Sequence, residues 1–363
     1  MNVLAFASYP VQAAATRYRL HQFVDALADR GINLTIRPFL DSQLFELLYD
    51  RGALPRTAVG LLRAGLLRLG DVLAARKADV ILVQREAMMF GPPLVEWLAM
   101  RMGRCPMVLD LDDATYVSYL SPTYGRLGSA LKWFSKTDDL IRWAKIVTCG
   151  SRAIAEHVAA LGKQAVIIPT VVDTDRFRPR PDTHAEHVSV LGWIGTHSTY
   201  QYLASIFPAL QRLAHAQHFR LKVVGAGQEK IAIPGVEVEN LAWSLEREIA
   251  DFQSFDIGLY PMLEDDWSVG KSGFKSVQYM AVGVPFVTTP VGACAEIGEP
   301  NVTHLFARSQ DEWCAALAHL LADENLRRRM GAAGRLHALE HYTVAVQAQK
   351  LANVLRAVSK VAQ

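Results

Sequence analysis

The sequence predicts an α/β protein of two domains, each a doubly wound parallel sheet, with the two sheets facing each other across a cleft. Its 363 residues suit about two domains at roughly 150 residues each. Short runs rich in Val, Ile and Leu alternate with longer segments of helical spacing, which is typical of buried parallel strands and their connecting helices. The alternation stops after Pro169 and begins again beyond a polar stretch, so two such sheets follow.

The first domain is predicted to span residues 1–178. Its strands are predicted at residues 2–8, 32–39, 80–84, 106–111, 145–149 and 165–169. Its helices are predicted at residues 16–30, 91–102, 129–144 and 151–161, the last with Ser151 as N-cap. The linker is placed where Pro179, Pro181, Asp182 and Thr183 occur together, because these residues favour turns and loops.

The second domain is predicted to span residues 187–341. Its strands are predicted at residues 188–194, 221–224, 256–260 and 285–288. Its helices are predicted at residues 199–216, 245–252, 273–282, 310–322 and 324–340, with a final helix at 344–361. Ligands of open α/β sheets bind beyond the carboxyl ends of the strands, so candidate functional residues are sought there.

Composition excludes several classes of protein. Lys and Arg total 38 against 36 Asp and Glu, and 51% of the residues are apolar, which argues against disorder and against a nucleic-acid binder. The cysteines, Cys105, Cys149, Cys294 and Cys314, are far apart in sequence and form no CxxC pair. They indicate buried thiols in a reducing compartment and not a disulfide framework or a zinc site. With no membrane-spanning apolar run and no signal-like start, we expect a cytoplasmic protein.

The strongest candidate site is the segment 269–275, which follows a predicted strand and opens a helix. Gly270 and Gly273 allow a ligand to approach the backbone, and Lys271 and Lys275 add positive charge. Unpaired N–H groups at the helix start would suit a diphosphate. The alternative interpretation is an ordinary glycine-containing helix start with solvated lysines.

A second glycine turn ends the first strand of the second domain. Gly195, Thr196, His197 and Ser198 would offer amides, hydroxyls and an imidazole to a phosphate, although Ser and Thr also cap ordinary turns. The short glycine pair at 225–227 is a weaker candidate, because such pairs mostly form simple turns.

Acidic residues close a strand of the first domain at 110–113. Asp112 and Asp113 there allow three interpretations: proton acceptance or binding of substrate hydroxyls, metal binding, or helix capping. Arg17 and Arg19 follow the first strand, and two arginines at a helix start oppose the helix dipole, which favours an anionic ligand over solvated side chains.

Residues 51–70 contain no acid but hold Arg51, Arg56, Arg63 and Arg68 among many leucines. A basic amphipathic helix of this kind is able to lie on an anionic membrane surface. The alternative is a helix whose leucines face the core and whose arginines are solvated.

Five ordered stretches and two further ones carry a family resemblance. The five are IIPTVVDTDRFRP at 167–179, LGWIGTHSTYQYL at 191–203, DIGLYP at 256–261, GKSGFKSVQYMAVGVPFVTTPVG at 270–292 and LRRRMGAAGR at 326–335. Together with TRYRLHQFVDALADRGINL and VLDLDDA in the first domain, they resemble the retaining GT-B glycosyltransferases of family 4, glycosyl transferases group 1. The resemblance covers nearly the whole chain.

The resemblance implies that the second domain binds a UDP- or GDP-linked sugar, and that the sugar passes with retention to a hydroxyl of a glycan, glycolipid or other acceptor on the first domain. It implies neither a metal nor a cofactor. It also implies that residues 342–363 cross back to the first domain. The donor residues would be Gly195, Thr196, His197, Ser198, Lys271, Ser272, Gly273, Phe274, Lys275 and Gln278. Asp112, Asp113 and Lys275 would serve catalysis, with Arg17 and Arg19 on the acceptor or phosphate side.

The chain departs from the family pattern in ways that bear on activity. Gly270 and Gln278 occupy positions where family members commonly have two glutamates. Residues 196–198 replace the usual Arg and Lys, and residues 13–17 replace the usual Gly-Gly loop, so Lys271 and Lys275 would supply the missing positive charge. Two other functions stay open: a noncatalytic nucleotide-sugar-binding subunit and a GT-B-like epimerase of nucleotide sugars.

Overall fold

The computed structural model describes residues 1–48, 51–119, 125–181 and 188–361, and over them the chain divides into two compact units. The first unit comprises Met1–Thr170, Gly270–Ser272 and Val344–Gln363, and the second comprises Val171–Val269 and Gly273–Thr343. The first segment of the first unit ends at Thr170, whereas the sequence places the domain boundary at residue 178. Asp182 and Thr183 of the predicted linker lie outside the described residues.

The first unit is built on a parallel sheet of buried strands. Its strands are β1 (Asn2–Ala7), β2 (Asn33–Pro38), β3 (Val80–Gln84), β4 (Met107–Leu111), β5 (Ile146–Cys149) and β6 (Ala165–Ile167). They are arranged in the order β2-β1-β3-β4-β5-β6, with every pairing parallel. Gln84, Asp110 and Thr148 are in register across β3, β4 and β5, so the polar ends of these strands lie side by side.

Helices connect these strands. They are α1 (Ala14–Arg19), α2 (Val24–Ala28), α3 (Ser42–Leu47), α4 (Leu54–Ala74), α5 (Leu94–Gly103), α6 (Gly125–Lys132), α7 (Lys136–Trp143) and α8 (Arg152–Ala160). The single helix predicted at 129–144 is wrong, because Trp133 has a left-handed backbone (φ 56°) that separates α6 from α7. The predicted N-cap is confirmed, since Ser151 Oγ accepts a hydrogen bond from the Ile154 amide.

The second unit contains another parallel sheet. Its strands are β7 (Val190–Ile194), β8 (Arg220–Val224), β9 (Glu237–Leu241), β10 (Ile257–Tyr260), β11 (Phe286–Thr288) and β12 (His304–Phe306). Their order is β12-β11-β10-β7-β8-β9. Strands β9 and β12, at the two edges of this sheet, were not predicted. Strand β9 lacks a continuous apolar run because most of its residues are only partly buried.

Seven helices are described in the second unit. They are α9 (Tyr200–Ala204), α10 (Phe207–Ala214), α11 (Glu248–Gln253), α12 (Asp266–Val269), α13 (Phe274–Ala281), α14 (Gln310–Ala322) and α15 (Glu324–His341). The long helix predicted at 199–216 is therefore two helices. The start of α14 carries a capping box formed by Ser309 and Glu312.

Helix α16 (Val344–Val361) belongs to the first unit and packs against α2. Arg30 Nε donates to Gln349 Oε1 at 3.0 Å, and Arg356 Nη2 donates to the Arg30 carbonyl at 2.6 Å. Leu351, Leu355 and other apolar residues at helical spacing are buried, which gives this helix a core-facing side.

Helix α4 contradicts part of both interpretations of residues 51–70. Arg68 is almost fully buried, and its guanidinium donates to the carbonyls of Ala7 and Arg37. Leu62 and Leu66 are exposed instead of facing the core. Arg56 and Arg63 are exposed as expected, while the side chain of Arg51 lies outside the described part of the chain.

Candidate functional site

A buried ion pair lies at the carboxyl end of β4. Arg19, on α1, donates through Nε and Nη2 to the carboxylate of Asp110, with the Nε–Oδ2 distance at 3.0 Å. Thr148 Oγ1 donates to Asp110 at 2.6 Å, and Arg19 Nη1 donates to the Ile168 carbonyl at 2.6 Å. Burial alone would lower the pKa of Arg19, but Asp110 outweighs it and the pKa is raised. The partner of Arg19 is therefore an internal carboxylate, and not the anionic ligand expected from the sequence.

Arg85 organises the two aspartates that follow β4. Its Nε and Nη2 donate to Asp112 Oδ1 and Oδ2 at 2.6 and 2.7 Å, and Nη2 also donates to Asp113 Oδ2 at 2.6 Å. Gln84, the last residue of β3, donates to Asp112 Oδ1 at 3.1 Å. Arg85 holds a left-handed backbone (φ 61°), which is costly for a residue with a side chain and clusters at functional sites.

The two neighbouring aspartates differ in their electrostatics. Burial would raise the pKa of Asp112, but the two-point pairing with Arg85 outweighs it and lowers the pKa. Burial raises the pKa of Asp113, the charge of Asp112 adds to the effect, and Arg85 and Lys271 oppose it. The Asp113 side chain is also more exposed, at 23% against 8% for Asp112. Asp112 is thus a fixed anion, and Asp113 is the more accessible carboxyl group.

Residues Gly270–Ser272 lie against this cluster in the first unit. A Cβ atom at Gly270 would collide with the Cβ atom of Ala114, directly after Asp113, and would lie 3.2 Å from its Cα atom. A Cβ atom at Gly150 would meet the Asp112 Cα atom at 3.0 Å and the Ser272 Cβ atom at 3.4 Å. Glycine at positions 150 and 270 therefore permits close backbone packing around the aspartates.

In the second unit, two turns meet beyond the ends of β7 and β8. Thr196, His197 and Ser198 are exposed, and the Thr196 and Ser198 hydroxyls are 2.9 Å apart. A Cβ atom at Gly227 would lie 2.7 Å from the His197 Cβ atom, and Gly227 has φ 66°. This turn therefore packs closely against the Gly195–Ser198 segment, which places the weaker glycine pair at 225–227 beside that candidate segment.

The start of α13 forms the other candidate element of the second unit. Gly273 is its N-cap in a left-handed conformation (φ 63°), and a Cβ atom there would lie 2.5 Å from the Ile297 Cδ1 atom. Lys275 lies in the first turn of α13, with its Nζ atom 6.0 Å from the centre of the Tyr260 ring. Gln278, further along the helix, is buried, with 3% of its surface exposed. Ser272 and Phe274, which flank Gly273, are partly exposed.

Hydrogen bonds from Tyr279 and Arg335 hold α13 in position. Tyr279 Oη lies 3.2 Å from the Gly192 carbonyl oxygen and 3.0 Å from that of Leu259, which joins α13 to β7 and β10. Arg335 on α15 donates to the carbonyls of Ala281, the last residue of α13, and of Phe177, both at 2.7 Å. Sequence reasoning attached no role to Tyr279 or Arg335, although both occur in the stretches that carried the resemblance.

Arg17 is partly exposed, and its Nη1 donates to the Gln12 carbonyl at 3.0 Å. Within the described ranges, no group of three or more His, Cys, Asp or Glu side chains is arranged to hold a metal ion. The four cysteines are free, and Cys105 and Cys314 are only partly buried. The same part of the chain contains no helix with the length and apolarity needed to cross a membrane.

Sequence reasoning missed Arg85 and Gly150. Arg85 directly follows the buried strand β3, so the rule that strand ends carry function would have singled it out. Gly150 follows β5 in the same way. Neither belongs to a motif with characteristic spacing, and their roles emerge only when parallel strands place them beside Asp112.

Comparison with known structures identifies the fold. A glycosyltransferase from Rickettsia africae aligns over 98% of both chains at 14% identity, with a TM-score of 0.70. Sucrose-phosphate synthase from Thermosynechococcus elongatus aligns over 99% of both chains at 14% identity and a TM-score of 0.71. HepE from Anabaena, in complex with UDP and glucose, aligns over 98% of this chain and 100% of its own at 15% identity and a TM-score of 0.71. The chain has the two-domain α/β fold of GT-B glycosyltransferases, as predicted.

A family model narrows the class. Residues 187–323 match the model of glycosyl transferases group 1. A search of curated proteins finds no significant match. The matched region contains the exposed turn at 196–198 and the start of α13, and it supports a group 1 glycosyltransferase.

Proposed function

We propose that this chain is a retaining, metal-independent glycosyltransferase of family 4. It would transfer a hexose from a nucleoside-diphosphate sugar to a hydroxyl of a glycan or glycolipid, as in polysaccharide biosynthesis. The observation that carries this proposal is that the region matching the group 1 model, residues 187–323, contains both the exposed turn of Thr196–Ser198 and the start of α13 with Lys275. UDP is the first candidate nucleotide, because HepE was solved with UDP and with UDP-glucose; GDP is the other.

The leaving diphosphate requires the most stabilisation, since negative charge grows there as the glycosidic bond breaks. The ammonium of Lys275 and the backbone amides at the start of α13 are suited to that charge. The hydroxyls of Thr196 and Ser198 and the His197 imidazole are proposed to bind the phosphates. They lie on the β7 turn that begins at Gly195, whose own amide donates to the Val224 carbonyl at 2.9 Å. Lys271, Ser272, Gly273 and Phe274 are proposed to complete the donor site, and Gln278 to bind the nucleoside.

We assign the acceptor to the first unit. Asp113 is the preferred group to orient and deprotonate the acceptor hydroxyl, because its side chain is more exposed than that of Asp112 and its pKa is raised by partial burial and the charge of Asp112. Asp112, locked by Arg85 and Gln84, is proposed to hold Arg85 and thereby Asp113 in position. Arg17 remains the candidate for an anionic group of the acceptor or donor. The cytoplasm, with attachment to the inner face of the cell membrane for a lipid-linked acceptor, is the proposed location.

A noncatalytic nucleotide-sugar-binding subunit is the second candidate, and one observation favours it. Position 270, where family members commonly have glutamate, has no room for any side chain beyond hydrogen because of Ala114. A glutamate at this position would therefore clash with Ala114, and the chain would have to bind the donor without that carboxylate.

The test begins with thermal unfolding in the presence of UDP-, GDP-, ADP- and dTDP-sugars, because a ligand at 100 times its Kd stabilises a protein by about 2.7 kcal/mol. One nucleotide class should raise the melting temperature selectively. The selected donor is then incubated with glycan and lipid-linked hydroxyl acceptors, and nucleotide release and the anomeric configuration of the product are measured.

Release that depends on the acceptor, with retained configuration, supports the proposal. Donor binding without release from any acceptor favours the noncatalytic subunit. Conversion of the free nucleotide sugar to an isomer, with no acceptor present, favours an epimerase. The absence of stabilisation by every nucleotide sugar would contradict donor binding itself.

A further inference from the structure

Helix α4 turns a line of large apolar side chains toward solvent. Leu62 and Leu66 are 72% and 71% exposed. The other apolar residues of α4 that are at least half exposed are Leu54, Val59, Leu67, Leu69 and Leu73. The run from Val59 through Leu62, Leu66 and Leu69 to Leu73 has spacings of three and four, which places it along one side of the helix over about 21 Å. Exposed apolar surfaces of this extent mark interaction sites.

The opposite side of α4 fixes this orientation. Arg68 lies under the helix with its guanidinium 5.2 Å from the Phe6 ring centre and 5.7 Å from that of Phe39. It donates to the Ala7 carbonyl at 3.0 Å and the Arg37 carbonyl at 2.8 Å. Turning the leucines inward would break these hydrogen bonds and remove Arg68 from the Phe6 and Phe39 rings, so the apolar line faces outward.

The charges on the outer side of α4 are positive. Arg56 and Arg63 are exposed beside the apolar line, and Arg76 and Lys77 are exposed just beyond the end of the helix. The acidic residue of this helix, Asp71, is paired with Arg68 at 3.1 Å. The surface therefore combines apolar side chains with cations, which complements an anionic lipid leaflet.

A second copy of the chain is a poorer occupant. Self-association of this face about a two-fold axis would bring the cations of one copy toward those of the other, with no acidic residue on the outer side of α4 to compensate them. Anionic lipid headgroups neutralise the same cations while the acyl chains accept the leucines.

We propose that the outer face of α4 docks on an anionic membrane surface, with its leucines entering the acyl boundary and Arg56 and Arg63 contacting headgroup phosphates. The protein would bind the membrane as a peripheral protein, and the leucines would carry most of the affinity. The further step, that docking brings a lipid-linked acceptor to the first unit, rests on the proposed function.

The test is sedimentation of the full chain with vesicles of phosphatidylcholine alone and of phosphatidylcholine mixed with phosphatidylglycerol. Wild type should bind the mixed vesicles. The L62Q/L66Q variant should lose on the order of tenfold in partitioning for each leucine, since each loses the burial of a large apolar side chain. The R56Q/R63Q variant should lose about fivefold per arginine at low salt, with a smaller loss at high salt.

The matched control is L336Q/L339Q, which removes two exposed leucines of α15 in the second unit and should bind as wild type does. UDP binding, measured by calorimetry, should be the same in wild type and all three variants, so a failure of docking is distinguished from a failure of the proposed function. Sedimentation equilibrium without vesicles reports on self-association.

Three results would overturn the proposal. The first is wild-type protein that does not bind the mixed vesicles, and the second is an L62Q/L66Q variant that binds them as wild type does. The third is a wild-type protein that binds no vesicles but forms a dimer, which the L62Q/L66Q substitutions convert to a monomer. The last result would assign the face to a second copy of the chain.

Discussion

Arg85 and Asp112 form a two-point ion pair, with Nε–Oδ1 at 2.6 Å and Nη2–Oδ2 at 2.7 Å. The pair joins the residue after β3 to the residue after β4, and the same guanidinium reaches Asp113. Arg85 holds a left-handed backbone (φ 61°) at the end of β3. This backbone conformation accompanies the placement of its guanidinium against the two aspartates at the end of β4. The central polar cluster of the first unit therefore depends on one strained arginine.

Two substitutions of Arg85 separate the contribution of its ion pairs from the cost of its strained backbone. Arg85→Ala should destabilise the protein by roughly 3–5 kcal/mol, because it leaves buried carboxylates unpaired and keeps a side chain at positive φ. Arg85→Gly loses the same ion pair but relieves the backbone, so it should be more stable than Arg85→Ala by about 1 kcal/mol. Urea unfolding of both variants measures the difference. Equal stability, or a less stable glycine variant, would contradict the claim of strain.

The aspartates should differ in what their substitution changes. Asp113→Asn should lower kcat on the order of 100-fold with little effect on folding, because it removes the proposed proton acceptor while keeping the shape of the side chain. Asp112→Asn should mainly lower the free energy of unfolding, by about 3 kcal/mol, because a partner of the Arg85 charge is lost. Steady-state kinetics and urea unfolding on both variants check this. Unchanged kcat in Asp113→Asn would remove that residue from the mechanism.

Gly270→Ala should destabilise the first unit by roughly 1–3 kcal/mol, since the added Cβ atom collides with Ala114. The control is Gly70→Ala, at a helical position of α4 where an added Cβ atom meets nothing within 4 Å. This variant should gain about 0.5–1 kcal/mol from the higher helix propensity of alanine. Thermal unfolding of the two alanine variants compares them, and a Gly270→Ala protein as stable as Gly70→Ala would refute the steric account.

The buried strands were predictable from sequence because burial on both faces of a parallel sheet requires continuous apolar runs, as in β3 and β4. Strand β9 was not predictable in this way, since Glu237, Glu239 and Asn240 interrupt its apolar pattern at the sheet edge. In α4 the helix was evident but its orientation was not, because leucines occur on most of its circumference. Only the packing of Arg68 against Phe6 and Phe39 decides which side is buried.

The residues of the candidate site likewise fall into those that were predictable from sequence and those that were not. The glycine turns and the strand-end aspartates were found because their residue types have restricted roles in turns and at strand ends. Arg85, Gly150 and Arg335 were missed because their importance comes from partners distant in sequence. Arg19 could not be distinguished from a ligand-binding arginine until Asp110 was placed beside it.

Stability should depend on pH through His304. Its side chain is buried against Phe286, and burial lowers its pKa to about 4, with His337 adding to the effect. Since the unfolded histidine titrates near 6.5, stability is fully present above that pH and falls as pH drops from about 6.5 toward 4, by about 3 kcal/mol in total. His304→Gln should flatten this slope in urea unfolding measured between about pH 4 and about pH 7, a range that covers this window. An equally steep slope in the variant would exclude His304 as its source.

The most direct test of the central claim, that the second unit binds a nucleotide-sugar diphosphate at the start of α13, is calorimetric titration of UDP and UDP-glucose. Lys275→Ala is compared with wild type and with Lys350→Ala, which removes an exposed lysine of α16. Lys275→Ala should weaken binding of both ligands by about 1.5–3 kcal/mol while Lys350→Ala binds as wild type does. If wild-type protein binds neither UDP nor UDP-glucose, the titration is repeated with GDP and a GDP-sugar. Wild-type protein that binds neither nucleotide class, or a Lys275→Ala protein of unchanged affinity, would contradict the claim.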